Sequence, residues 1–249
     1  MARSILAGLA VLAGAASIAT PAVAAAPQPR LAKVVYGIAW ADGPRTLRIT
    51  PMKADPIRLP DRTVFHLSRL QGARELRFRY TGADFRRVTE RCYLKENEGK
   101  VFLDRNGLGR TRCKDRHLDF VLEQGPVPVR ITVGRRLLIQ EFLAAPTHRK
   151  RAYGTLTRLN DNTVRFRTNG TTLKLGYSPH LHFLRVTRRC GDRWLANQVN
   201  ASPTGLGTKP CVGKHFTQAL RTAGKPVRVR IDYNPLWDSL DEVWEVAPR

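Results

Sequence analysis

Residues 87–92 read RVTERC, and residues 185–190 read RVTRRC. The two stretches are 98 residues apart, and at the same offset a second cysteine, Cys113, falls on Cys211. So many matches in one register indicate a tandem duplication. The further matches at this offset are Gly107-Leu108-Gly109 with Gly205-Leu206-Gly207, His117 with His215, and Pro128-Val129-Arg130-Ile131 with Pro226-Val227-Arg228-Val229.

The duplication divides the chain into two related domains. Tyr36-Gly37 opens the first copy and Tyr153-Gly154 opens the second, and the first copy carries about 19 extra residues before its first cysteine. The polar, proline-containing stretch 146–151 suits a short linker. We therefore expect domains at 31–146 and 151–249.

Alternating polar and apolar residues predict strands in both copies. The pattern is clearest at 127–133 (VPVRITV) and 227–231 (VRVRI). A period of two buries one face of a strand and leaves the other in water. The predicted fold class is all-β, with two tandem homologous antiparallel β-barrel or sandwich domains, each with one disulfide. Further strands are expected at 46–50, 75–80, 163–168 and 171–175, and short helices at 117–124 and 215–223.

Residues 1–25 are predicted to be a secretory signal peptide. Arg3 precedes an apolar run at 5–18, and the small residues around Ala24 and Ala25 suit cleavage there. The run is too short to span a bilayer comfortably. The mature protein is therefore predicted to be secreted and extracellular, with no membrane span.

The composition is that of a globular and strongly basic protein. Of the 249 residues 42% are hydrophobic, which is enough for a packed core and excludes a disordered polyelectrolyte. Lysine and arginine number 43 against 20 acidic residues, a formal net charge of +23. This excess favours an acidic partner, which is predicted to be an acidic secreted protein or, as the alternative, a polyanion.

Four cysteines in a secreted chain are expected to be oxidised. Because each copy carries its own equivalent pair, the duplication predicts the disulfides Cys92–Cys113 and Cys190–Cys211. Each bridge would close a loop of about 20 residues and contribute roughly 3 kcal/mol to stability. The alternative is a metal site with His117 and His215, but the wide cysteine spacing is unlike that of zinc sites. No metal and no cofactor is predicted.

A search for catalytic motifs finds no nucleophile elbow, no phosphate-binding glycine loop and no His-Glu-x-x-His motif. His117 with Asp119 or Glu123 offers acid–base chemistry of the kind that a secreted nuclease uses. The second copy has Thr217 and Arg221 in place of these carboxylates. The chain is therefore predicted not to be an enzyme.

The other histidine patterns are interpreted as structural. A histidine retained beside the disulfide in both copies, His117 and His215, suits packing or hydrogen bonding. His180 and His182 alternate on one predicted strand and are interpreted as part of a polar strand face.

Arginines and tryptophans are the candidate binding residues, because these side chains dominate the energetics of interfaces. Arginine fills most polar positions of the predicted strands and two positions before Cys113. Trp194 lies within the second disulfide loop, and Trp237 follows the Asn234-Pro235 turn, whereas Trp244 is predicted to lie in the core. The candidates are Arg77, Arg79, Arg110, Arg112, Arg165, Arg167, Trp194 and Trp237.

The favoured function is that of a non-catalytic protein-binding or adaptor module. Two copies of one disulfide-bonded domain offer two similar surfaces, which suits the bridging of two partners. The unmatched parts would then carry specificity: the insertion at about 54–72 and the loops 93–112 and 191–210. The positive charge would speed association with an acidic partner.

A secreted, basic chain of two related β-domains with an Ala-rich leader resembles the small adaptor subunits of the umbrella-shaped antibacterial toxin particles of Streptomyces. The likeness lies in the architecture and the leader. It implies that the chain links a lectin-bearing subunit to the repeat ring of the large toxin chain.

Three other functions stay open from the sequence. The first is binding of a polyanion, either nucleic acid or a cell-wall polymer, although aromatic residues that would stack bases are not interleaved with the arginines in any repeated way. The second is a protease inhibitor that presents Arg110 or Arg112 on the constrained loop, with Lys209 as the basic match in the second copy. The third is the nuclease built on His117.

Overall fold

The computed structural model describes residues 34–95 and 100–248. The predicted signal peptide, residues 1–25, lies outside these ranges. The described residues form two halves, 34–146 and 150–248, and both belong to one compact unit.

The first half contains an eight-stranded sheet and one helix, α1 (Asp115–Gln124). The strands are hydrogen-bonded in the order β3-β2-β1-β7-β8-β5-β6, and β4 pairs with β2 beside β3. The bounds are β1 (Val34–Ala41), β2 (Thr46–Arg58), β3 (Thr63–Arg69), β4 (Leu76–Arg79), β5 (Asp84–Arg87), β6 (Thr111–Cys113), β7 (Val127–Thr132) and β8 (Leu138–Glu141).

The second half contains a seven-stranded sheet and the helix α2 (Gly213–Ala223). Its strands follow the order β11-β10-β9-β14-β15-β12-β13, and β11 also meets β15 at one residue pair. The bounds are β9 (Lys150–Arg158), β10 (Thr163–Thr168), β11 (Thr171–Gly176), β12 (His182–Arg185), β13 (Lys209–Val212), β14 (Val227–Asn234) and β15 (Ser239–Glu245).

The two sheets have the same order of equivalent strands: β4-β2-β1-β7-β8-β5-β6 in the first half matches β11-β10-β9-β14-β15-β12-β13 in the second. Only β3, which comes from the predicted insertion, has no counterpart among the described strands. The register agrees as well, because Trp40 lies opposite Arg48 in the first half and Thr157 lies opposite Arg165 in the second.

The predicted fold class is confirmed: both halves are all-β, and each carries one disulfide, Cys92–Cys113 or Cys190–Cys211. Both predicted helices are present. Each sheet also contains parallel pairing, which the antiparallel prediction did not include: β5 with β8 in the first, and β12 and, at one residue pair, β11 with β15 in the second. Parallel pairing needs a long crossover, and the disulfide loop and the helix lie within that connection.

Strand β7 corrects one detail of the sequence alignment. Val129 lies opposite Gly37, and Val229 lies opposite Gly154. The structural offset in this strand is therefore 100 residues and not the 98 of the sequence match. Because side chains alternate with a period of two, a shift of two residues leaves each side chain on the same face.

The Tyr-Gly openings of the two copies have a steric reason. A Cβ at Gly37 would collide with the carbonyl oxygen of Thr50, and a Cβ at Gly154 would collide with that of Arg167. Only glycine allows the neighbouring strand to approach this closely.

Each half has its own hydrophobic core between the sheet and the helix. In the first half Leu47, Phe85 and Leu118 are among the fully buried side chains, and in the second Phe166 and Phe216 are. Aromatic residues contribute strongly to such cores because each ring buries a large area.

A buried ion pair holds the disulfide loop in each half. Arg87 pairs with Glu141 at 3.0 Å, and Arg185 pairs with Glu245 at 2.7 Å with both side chains fully buried. Both arginines are the first residue of the repeated RVT motif. Burial raises the pKa of Glu141, and the charge of Arg87 opposes that rise.

The two arginines also bind equivalent backbone carbonyls in the loop. Nη1 of Arg87 donates to the carbonyl of Cys92 at 2.8 Å, and Nη1 of Arg185 donates to that of Cys190 at 2.7 Å. The buried guanidinium of each arginine has several acceptors. Removal of the arginine or of its glutamate partner would leave the remaining charge unpaired in the core.

Candidate binding surfaces

The outer face of the first sheet, opposite the helix, is apolar and covered. Ile38, Trp40 and Met52 lie on this face and form a hydrophobic cluster with Phe65 and Leu67 of β3. The insertion predicted as a specificity element thus supplies part of this cover. Leu236 and Trp237 from the second half pack against the same cluster.

Trp40 joins the two halves. Its Nε1 donates to the carbonyl of Trp237 at 3.1 Å, and a Cβ at Gly176 would lie 2.6 Å from its ring. The guanidinium of Arg48 lies 5.3 Å from the centroid of the same ring. This close packing, together with a cation–π contact, fixes Trp40 at the junction.

Glu75 adds an ionic contact at the junction. It pairs with Arg48 of its own half at 3.2 Å and accepts from Nζ of Lys174 in the second half at 3.0 Å. Burial raises the pKa of Glu75, but the hydrogen bond from Lys174 and the charge of Arg48 outweigh this, so the net pKa lies below its ordinary value.

A cleft of about 900 Å³ lies between the halves. Its walls come from the end of α1, from residues 142–147, and from the turn between β14 and β15. Both Trp40 and Trp237 line it, and an adjoining cavity of about 500 Å³ shares Trp40 and Gln124 with it. Tryptophan, proline and alanine give most of the lining an apolar character, while Lys95 and Arg149 are basic.

Residues 142–147 bring an extended backbone to the cleft. Phe65 pairs with one edge of this segment: its N–H donates to the carbonyl of Leu143 at 2.7 Å, and its carbonyl accepts from Ala145 at 2.8 Å. In an extended chain the N–H and carbonyl of the intervening Ala144 point to the opposite edge. Within the described parts of the chain, these two groups of Ala144 have no hydrogen-bond partner.

The outer face of the second sheet is open and basic. We call the set Arg165, Arg167, Lys174, Arg228 and Arg230 the basic face. Its residues alternate with core residues on β10, β11 and β14. Threonines of β9 lie between the arginines, because Thr155 is opposite both Arg167 and Arg228.

Four of the predicted arginines lie on neighbouring strand positions of the two halves, two on β10 and two on β4, the equivalent of β11. Arg165 and Arg167 are exposed on the basic face, and Arg77 and Arg79 are exposed on β4. Arg77 pairs with Asp42 at 2.6 Å and approaches Glu75 to 3.8 Å. Glu75 therefore links Arg77 to Lys174, and the structure brings these parts of the two halves together.

The other two predicted arginines lie elsewhere. Arg110 and Arg112 are exposed at the edge strand β6, and Arg112 is opposite Arg86 of β5. This edge is the far end of the first sheet from β2 and β4. The structure does not bring these arginines to the basic face.

The predicted tryptophans are both half-buried. Trp194 stacks on Phe183 at 5.6 Å between ring centroids and packs against the second core. Trp237 lies in the junction cleft, as described above. Trp244, predicted to lie in the core, is buried on the outer face of β15, with the guanidinium of Arg230 4.0 Å from its ring centroid.

Comparison with known proteins finds no match: no family model fits the chain, and no curated protein or solved structure is significantly similar to it. Two disulfides are compatible with an extracellular location. In the described ranges, no helix has the length and apolar character needed to cross a bilayer.

His117 and His215 occupy the same structural position at the start of a helix. Nδ1 of His117 accepts from the N–H of Lys114 at 2.9 Å, and Nδ1 of His215 accepts from that of Val212 at 3.4 Å. Each imidazole thus satisfies a backbone donor at a helix N-terminus. Burial, followed by the charge of a neighbouring cation, lowers the pKa of both histidines.

Both histidines also lie beside a disulfide. The ligand atoms of Cys92, Cys113 and His117 lie within 4.8 Å of one another, and the second half repeats this cluster. The sulfurs are bonded to each other, whereas zinc binds thiolates. The oxidised clusters therefore lack the ligands of a zinc site.

Asp119, the first acid of the nuclease hypothesis, is engaged in other contacts. It accepts from the hydroxyl of Tyr80 at 2.5 Å and pairs with Arg45 at 3.1 Å. Burial, reinforced by the bond to Asp119, raises the pKa of Tyr80. The second half makes the equivalent contact between Tyr177 and Thr217 at 3.1 Å, so the contact persists without a carboxylate.

His180 and His182 are separated by their surroundings. Nε2 of His180 lies 3.0 Å from Oε1 of Gln124, a contact that crosses the junction. His182 is exposed on β12. His182 therefore lies on an exposed strand face, as the sequence predicted, whereas His180 precedes the strand.

Proposed function

We infer that the chain is a secreted, non-catalytic binding protein that holds a segment of a partner protein in the junction cleft. The observation that carries this proposal is the cleft itself, where two tryptophans and an extended backbone meet between the two halves. Clefts of this volume at the junction of two structural units are common binding sites.

The cleft suits a polypeptide segment because it combines two modes of recognition. The free edge at Ala144 can pair with the backbone of an extended segment, as in the addition of a strand to a sheet edge. Trp237 offers a partly exposed aromatic anchor for a side chain of that segment. Lys95 at the cleft favours a segment with an acidic residue, whereas Arg149 already pairs with Asp241 of the same cleft at 3.1 Å.

An adaptor function within an extracellular toxin complex is the finer form of this proposal. It is supported by the duplicated architecture, which offers a second surface besides the cleft. The partners recovered from the native organism would decide it: a lectin-bearing subunit and a large repeat-containing toxin chain are the expected proteins.

The test is affinity purification of the tagged mature protein from its native culture supernatant at moderate salt, followed by mass spectrometry. We expect a defined set of secreted proteins. With the recovered partner in hand, Trp237→Ala should weaken binding by about 30-fold, because a central tryptophan typically contributes about 2 kcal/mol.

Trp194→Ala is the matched control, since Trp194 is also half-buried but packs against the second core away from the cleft. It should leave the affinity within about threefold of the unmodified protein. Equal affinities for Trp237→Ala and the unmodified protein would contradict a site in the cleft.

Polyanion binding is the second candidate, and the exposed arginines of the second half favour it. If it is correct, nucleic acid or cell-wall polymer will be recovered in place of proteins. Its affinity will then fall steeply with salt, because each neutralised phosphate releases counterions.

A further inference from the structure

The two halves use equivalent faces of the same sheet in opposite ways. Trp40 and Arg48 lie opposite each other on the covered face of the first half, and Thr157 and Arg165 occupy the same positions in the second. Arg48 is buried, whereas Arg165 is exposed. Equivalent arginines are therefore buried in one half and exposed in the other.

In the first half, carboxylates of the same half neutralise the arginine row. Glu75 pairs with Arg48 at 3.2 Å, and Asp42 pairs with Arg77 at 2.6 Å. Lys174, the equivalent of Arg77, already uses Glu75 at 3.0 Å. By contrast, Arg165, Arg167 and Arg228 have no acidic group within 4.0 Å among the described residues.

A second copy of this chain does not fit the basic face. In the existing junction, the second half contributes the turn with Leu236 and Trp237. The equivalent turn of the first half, between β7 and β8, carries Arg135 and Arg136. Docking of that turn on the basic face would bring like charges together and is unfavourable.

The face offers one exposed aromatic ring, Tyr153, in place of the series of rings on which single-stranded nucleic acid stacks. Bases bind by stacking on free aromatic rings. The ring of Trp244 at one end of the face is already covered by Arg230 at 4.0 Å and faces Arg151 at 5.6 Å. On β9 the exposed ring of Tyr153 lies opposite Arg230, and threonines lie opposite Arg165, Arg167 and Arg228.

We propose that the basic face is a second docking surface, which binds an acidic protein through carboxylates placed against Arg165, Arg167 and Arg228. The surface is separate from the junction cleft, so it does not depend on the proposed function of the cleft. Together the two sites would let one chain hold two partners.

The test measures binding of two fluorescent probes, a poly-glutamate peptide and a poly-deoxythymidine oligonucleotide of equal charge, at low and moderate salt. The variant is R165E/R167E/R228E in the full mature chain. We expect it to weaken poly-glutamate binding by about 30-fold, because each reversal replaces an exposed attraction with a repulsion.

The matched control is R105E/R116E/R188E, which changes the net charge equally at exposed arginines outside the basic face. It should weaken poly-glutamate binding by less than about threefold. Trp237→Ala should not change the affinity for poly-glutamate. The proposal for the cleft and the proposal for the basic face can therefore be refuted independently. Circular dichroism and thermal unfolding verify that each variant is folded.

Two results would overturn the proposal. An equal loss in both triple variants would mean that only net charge matters. Tighter binding of the oligonucleotide than of poly-glutamate, abolished by R165E/R167E/R228E, would make the face a polyanion site.

Discussion

The outer faces of the two sheets are equivalent in position but differ in chemistry: one is apolar and covered, and the other is basic and exposed. In the first half this face carries Ile38 and Trp40 and is covered by β3 and by the second half. In the second half the same positions are Thr155 and Thr157, and the face is open. The strand order and register beneath the two faces are the same.

The comparison distinguishes the features that both halves share from those that differ between them. The buried ion pair, the disulfide and the helix-capping histidine occur in both halves, so they belong to the scaffold. The outer face is not needed for the core. One copy uses it to build the junction, and in the other it stays exposed.

Breaking a buried ion pair of the shared scaffold should cause the greatest loss of stability. Arg185→Leu should lower the free energy of unfolding by about 3–5 kcal/mol, because it leaves the fully buried Glu245 without its countercharge. Arg87→Leu should have a comparable effect through Glu141. Urea unfolding followed by circular dichroism measures both.

The control for this prediction is Arg188→Leu, an exposed arginine in the same loop, which should change stability by no more than about 0.5 kcal/mol. Replacement of both Arg185 and Glu245 by Met should recover most of the loss. If Arg87→Leu is as stable as the unmodified chain, the ion pairs are not equivalent parts of one scaffold.

Smaller losses are expected when equivalent residues are exchanged between the outer faces of the two sheets. Trp40→Thr should destabilise the protein by about 3 kcal/mol, because it removes the buried ring at the junction. The reverse exchange, Thr157→Trp, should change stability by less than about 1 kcal/mol, since that face is open. Similar losses from both exchanges would mean that the second outer face is also a packed interface.

The pH dependence of stability should be the smallest of these effects. The folded state lowers the pKa of His117 and His215, so the unfolded chain takes up protons first as the pH falls below about 6.5. The two histidines should therefore contribute stability at neutral pH that is lost on acidification towards pH 5. Thermal unfolding across this range measures the loss.

The variant H117Q/H215Q isolates this contribution, because glutamine at this helix position can keep the capping hydrogen bond but does not titrate. It should show a shallower fall in stability over the same pH range. An unchanged pH profile would show that other groups cause the fall.

Much of the fold could be predicted because its signals are local or repeated. The alternation at 127–133 and 227–231 predicted β7 and β14, and the duplication predicted both disulfides. The parallel pairs β5–β8 and β12–β15 could not be predicted, because no local pattern specifies which distant strand a short strand will join.

The candidate site was less predictable. Arg165 and Arg167 were identified as polar strand positions and are exposed, but Arg48 has the same pattern and is buried. Its burial depends on Trp40 and on the approach of the second half, which periodicity does not encode. The match of Arg87 with Arg185 was visible in the repeat, but nothing in the sequence indicated that each pairs with a buried glutamate.

The equivalent arginines Arg48 and Arg165 differ in burial, and the same substitution at each distinguishes a structural face from a binding face. Arg48→Glu should destabilise the protein by about 3 kcal/mol or more, since it places a second acid beside Glu75 in a buried contact. Arg165→Glu should leave stability within about 0.5 kcal/mol and weaken binding of the poly-glutamate probe several-fold. A loss of stability in Arg165→Glu equal to that in Arg48→Glu, or an unchanged affinity for the probe, would contradict the assignment of one face to structure and the other to binding.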